Sequence, residues 1–181
     1  PAGWGHIDTL RLSAWRGGAA DTMMELAGLG VLHPASRVAV IRGVSALPGL
    51  PAGDARGISE YASRVTRALD SYGVNPLLVD DVDLSAELLA RVRVAILPYN
   101  PGMPEALLQA VAGFAERGGK VVGFYSLPEA LQEPLGMRAG VYVPGSSFAA
   151  GLGSIVPIPG ALPGAPRQVR QTSWNIHTVE P

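Results

Sequence analysis

The chain has 181 residues, 48% of them hydrophobic and 16% charged, with a formal net charge of −1. That length suffices for one domain whose core removes roughly 70% of the unfolded surface from water, and the composition excludes intrinsic disorder. The near-neutral balance excludes the electrostatic footprint of a nucleic-acid or anionic-membrane partner, and the lack of cysteine excludes disulfides, thiolate metal sites and a cysteine nucleophile.

Residues 1–35 read as a connecting segment. They carry Trp4, Trp15 and a short helix candidate over 21–29, with Asp21 as its N-cap. No apolar run approaches the roughly 18 residues of a membrane span. Because the chain opens on Pro1 without a recognisable leader, it is read as a piece of a longer or processed protein.

Residues 36–140 alternate strand and helix patterns. Val38, Ala39, Val40 and Ile41 form a continuous apolar run, as expected of a strand covered on both faces. A Gly- and Pro-rich loop is predicted over 43–57. Ile58, Tyr61, Ala62, Val65, Ala68, Leu69 and Tyr72 then recur at helical spacing, and Gly73 stands where a helix-ending glycine belongs. A strand over 77–79 runs into Asp80, Asp81 and Asp83, followed by a short helix over 85–91 and a strand over 94–97. Pro98 and Pro101 stop that strand. Pro104 suits the first turn of a helix with an apolar stripe of Leu107, Leu108, Val111 and Phe114. A fourth strand is predicted over 120–124, then a helix over 128–135. The alternation predicts an α/β fold of flavodoxin-like, three-layer type with a mostly parallel sheet and right-handed crossovers. From residue 141 the strand and helix pattern dissolves: 141–181 read as a Pro/Gly-rich extension, either separate or an incomplete part of the same domain, with polyproline-like or edge structure over 151–166 and a short strand or recognition segment over 167–174.

In such sheets ligands bind beyond the carboxyl ends of the strands. The residues at those ends are Arg42, Asp80, Asp81, Tyr99, Asn100, Tyr125 and Ser126, which make up the candidate ligand-binding set. A cation, carboxylates, phenols, an amide and a hydroxyl suit a polyhydroxylated ligand, with aromatic faces against sugar C–H surfaces. Polar residues also occupy loop ends simply because loops face water. Neither a dinucleotide fingerprint nor a phosphate loop follows the first strand, so no cofactor is expected. Asp80, Asp81 and Asp83 lack the spacing of a calcium loop, and His6, His33 and His177 share no ligand spacing, so no metal is expected either. Ser126 has the strand-to-helix context of a nucleophile, but no base is evident beside it. It reads first as the N-cap of the following helix.

Residues 37–140 resemble the class I glutamine amidotransferase-like fold in a degenerate form. The resemblance rests on Val94 to Asn100, on the helix from Pro104 to Phe114, and on Glu116, Arg117, Gly118, Gly119, Lys120, Val121 and Val122. Together with Arg167 to Ile176, these residues look like accessory domains of bacterial glycoside hydrolases: those of family-10-like glycosyl hydrolases and the trimerisation domain of some β-galactosidases. The resemblance implies that Tyr125 or Ser126 stands where an active amidotransferase places its cysteine, and that no glutaminase activity remains. It also implies that the family domain continues with further strands beyond Trp174 to His177, so this chain is expected to end early.

Three functions follow. The first is a non-catalytic accessory domain of a carbohydrate-active protein, acting in packing, oligomerisation or weak glycan contact, with a neighbouring catalytic barrel or a second copy as partner. The second is a stand-alone small-molecule-binding domain of flavodoxin-like type. The third is a serine hydrolase using Ser126, supported by Asp80 or Asp81 and a remote His177.

Overall fold

The computed structural model describes residues 36–125, 127–147, 154–160, 164, 166–170 and 175–180. The expectations placed on residues 1–35, including Trp4, Trp15, His6, His33 and the helix over 21–29, lie outside these, as do those on Ser126 and Trp174.

Four parallel strands form the central sheet: β1 (Val38–Arg42), β2 (Leu77–Asp80), β3 (Val94–Leu97) and β4 (Lys120–Gly123), in the order β2-β1-β3-β4. This is the start of the flavodoxin-like strand order. Three helices join the strands: α1 (Ala52–Ser71), α2 (Ala86–Arg91) and α3 (Glu105–Glu116). Side chains alternate across a strand, so the apolar runs of β1 and β3 feed two layers. Ala39, Ile41, Ala95 and Leu97 pack with Leu89 of α2 and Leu107, Val111 and Phe114 of α3. Val40 and Ile96 pack on the other face with Ala62, Val65 and Leu69 of α1. The alternation of strand and helix motifs thus resolves into a three-layer, mostly parallel α/β fold.

Local chemistry fixes the helix ends. The Ser85 side chain accepts the Leu88 N–H at 3.1 Å and caps α2. Gly73 takes φ +74 after α1, and its N–H reaches the Asp70 carbonyl at 2.9 Å. An L side chain is disfavoured there.

Three expectations are corrected. The predicted loop over 43–57 is loop only as far as Pro51. A 3-10 turn spans Val44–Gly49 and α1 begins at Ala52. Pro51 stands at the N-cap, where a missing N–H costs nothing, and each helical glycine costs about 1 kcal/mol, which burial of Ile58 and Ala62 offsets. The predicted helix over 128–135 shrinks to a 3-10 turn at Glu129–Leu131 capped by Pro128, and Pro134 cannot extend it. Finally, the pattern does not dissolve after residue 140. β5 (Arg138–Pro144) pairs antiparallel with β8 (Asn175–Glu180), and β6 (Ser154–Ile155) with β7 (Val169–Arg170). β5 runs across residue 140, where the sequence texture changes. The β-branched and aromatic run Val141, Tyr142, Val143 favours a strand, but its partner lies far along the chain.

Candidate functional site

The order of the strands reverses at β1, so the crevice between the carboxyl ends of β1 and β3 is the switch point of the sheet. Gly43 follows β1 and Asn100 follows β3 there. Asn100 is only 2% exposed, and its Nδ2 donates to the Ile41 carbonyl at 3.1 Å, tying the two strand ends together. Its Oδ1 is buried without a partner among the described residues.

Beside the crevice the acids are already engaged. Arg42 and Asp80 are register partners on β1 and β2. The guanidinium meets the carboxylate in a fork, with Nε to Oδ1 at 2.6 Å and Nη2 to Oδ2 at 2.8 Å. That hydrogen bond, opposed by burial, pushes the Arg42 pKa further up. Asp81 is fully buried and accepts two hydrogen bonds from Ser45, one from its N–H at 2.9 Å and one from its hydroxyl at 2.5 Å. A carboxylate buried this way holds the loop after β1 rather than facing a ligand. Asp83 is exposed. Among the described residues, no cluster of three His, Cys, Asp or Glu side chains is arranged to hold a metal ion.

The other strand ends converge on aromatic rings. Tyr99 after β3 and Tyr125 after β4 meet edge to face at 5.1 Å between centroids. Tyr61, two turns into α1, stacks on Tyr125 at 6.0 Å and 27° and meets Tyr99 edge to face at 6.0 Å. Such pairs stabilise by about 0.5–1.5 kcal/mol beyond area burial. Tyr125 has φ +69, the one non-glycine left-handed residue among those described, and it is 77% exposed. Burial, then the charge of Asp54, pushes the Tyr99 phenol pKa above 10.0, which keeps it neutral.

The structure therefore brings Tyr99 and Tyr125 together and sets Asn100 and Arg42 beside the crevice, while Asp80 and Asp81 are committed to protein partners. Tyr61 escaped the sequence reading because helical spacing placed it with the apolar face. The clue is its place four residues after Gly57, a buried helical glycine whose missing side chain leaves the Tyr61 ring room. His177, on β8, lines a cleft that Tyr125 also lines.

No protein-family model matches the chain, and no curated protein matches it. Among solved structures, a weak neighbour is the crystal structure of a β-galactosidase from Bifidobacterium adolescentis, at 21% identity and a TM-score of 0.42. The likeness covers 52% of this chain and 43% of the galactosidase chain, so it spans less than half of that protein.

Proposed function

We propose that this chain is a non-catalytic α/β domain of the amidotransferase-like kind, serving a carbohydrate-active protein through packing and through weak glycan contact at its tyrosine cluster. The observation that carries this reading is Tyr125. A sharp left-handed turn straight after a parallel strand is where an elbow presents a nucleophile. Here the turn presents a phenol lying against two further phenols. The chain contains no cysteine to act in its place. Exposed phenol faces suit the C–H surfaces of a sugar, and their hydroxyls can exchange hydrogen bonds with it. On this reading residues 36–140 form the domain proper, residues 1–35 lead into it, and its partner is a neighbouring barrel or a second copy.

The test is an NMR titration of the protein with a panel of soluble oligosaccharides, beside turnover assays on nitrophenyl glycosides and glutamine. Saturable shifts at the tyrosines, lost in Tyr125→Ala, with no turnover, are expected. Turnover abolished by a single substitution in this mouth would overturn the proposal.

A further inference from the structure

Between β4 and the β5–β8 ribbon lies a cleft of about 390 Å³, with Tyr125 of the tyrosine cluster among its lining residues. Ligand pockets begin at about 300 Å³ and combine an apolar lining with a few polar groups. Val121, Leu127, Leu135 and Met137 supply the apolar wall, and Gln132 and His177 are polar members of the lining. Gln132 is held in place because its Oε1 accepts the Ala139 N–H at 2.9 Å, which leaves its Nε2 as a donor. His177 rests against the Tyr142 ring at 5.2 Å. No carboxylate is among the lining residues. Glu129, Glu133 and Glu180, the acids nearest in sequence, are exposed and stand outside it.

We infer that this cleft binds an apolar anion: a small aromatic or aliphatic carboxylate, with its hydrocarbon against Leu135 and Met137 and its head group on Gln132 Nε2 and the His177 ring. The hydrogen-bond donors select the class. An apolar wall would hold any ring of this size, but nitrogen donors without a competing carboxylate favour a negative head. The inference does not rest on the glycan reading, because the contacts it assigns fall on Leu135, Met137, Gln132 and His177 and not on Tyr125, which also lines the cleft.

The experiment follows the Met137 methyl resonance of the whole chain during titration with phenylacetate and with its neutral analogue phenylacetamide. A saturable shift with the acid, and about tenfold weaker binding of the amide, is expected. Gln132→Glu keeps an acceptor for the Ala139 N–H but adds a negative charge. It should weaken phenylacetate by about tenfold or more and leave phenylacetamide unchanged. His177→Ala, at an exposed position, should weaken only the acid. Equal binding of acid and amide, or no shift with either, would overturn the assignment, and so would a Gln132→Glu protein that binds both as the parent does.

Discussion

Gly43 and Asn100 meet across the switch point so closely that a Cβ on Gly43 would lie 3.0 Å from the Asn100 Cα and 2.9 Å from the Tyr99 carbonyl oxygen. Both obstructing atoms are backbone, so neither can swing aside. Gly43 itself has φ −78, which any residue can adopt, so the requirement for glycine is one of space. The closeness of the two strand ends lets the Asn100 amide reach the Ile41 carbonyl, and it holds Tyr99 at the rim.

Gly43→Ala is therefore destabilising. Overpacking costs about 1–3 kcal/mol, and reduced freedom of the unfolded chain returns about 0.4–1 kcal/mol. A net loss of about 1–2 kcal/mol should appear in urea unfolding as a lower midpoint with an unchanged slope. An unchanged midpoint would show that the strand ends separate easily.

The two neighbouring aspartates should respond differently. Asp81→Ala strands a Ser45 N–H and hydroxyl that its buried carboxylate now accepts. The expected loss is about 2–3 kcal/mol, insensitive to salt. Arg42→Ala breaks a pair whose side chains are 30% and 20% exposed, so it should cost about 1 kcal/mol or less, and less again at high ionic strength. Unfolding both variants at low and high salt checks the contrast.

At Tyr125 the usual ranking of alanine over glycine should invert. Both substitutions lose the ring contacts, but only alanine retains the left-handed penalty of about 1–2 kcal/mol at φ +69. Tyr125→Gly should therefore be more stable than Tyr125→Ala by about 1 kcal/mol. Chemical unfolding of the pair decides it, and the reverse order would mean that this turn relaxes.

The Tyr99 phenol holds its proton more tightly folded than unfolded, through burial first and the Asp54 charge second. Its contribution to stability is thus fully present below pH 10.0 and is lost as pH rises through the higher folded value. In tyrosinate absorbance, the difference between the parent and Tyr99→Phe should show a transition displaced above pH 10.0. Asp54→Asn should bring that transition down.

Elements whose causes are local are legible in the order of the residues. The apolar runs of β1 and β3, the helical face through Ile58, Ala62 and Val65, and the stop at Gly73 all follow from interactions among near neighbours in the chain. Their alternation was enough to read a parallel sheet covered on both faces. Tertiary structure alone decided which polar groups are spent and which remain. Asp81 looked like a free acid until Ser45, 36 residues earlier, was placed against it. Tyr61 looked like core until α1 carried it to Tyr99 and Tyr125. β5 looked like the start of an irregular tail until β8 supplied its hydrogen-bond partners. In each case the deciding partner is distant in sequence, and only the strand order and register that close the fold bring the two within hydrogen-bond or ring-contact range.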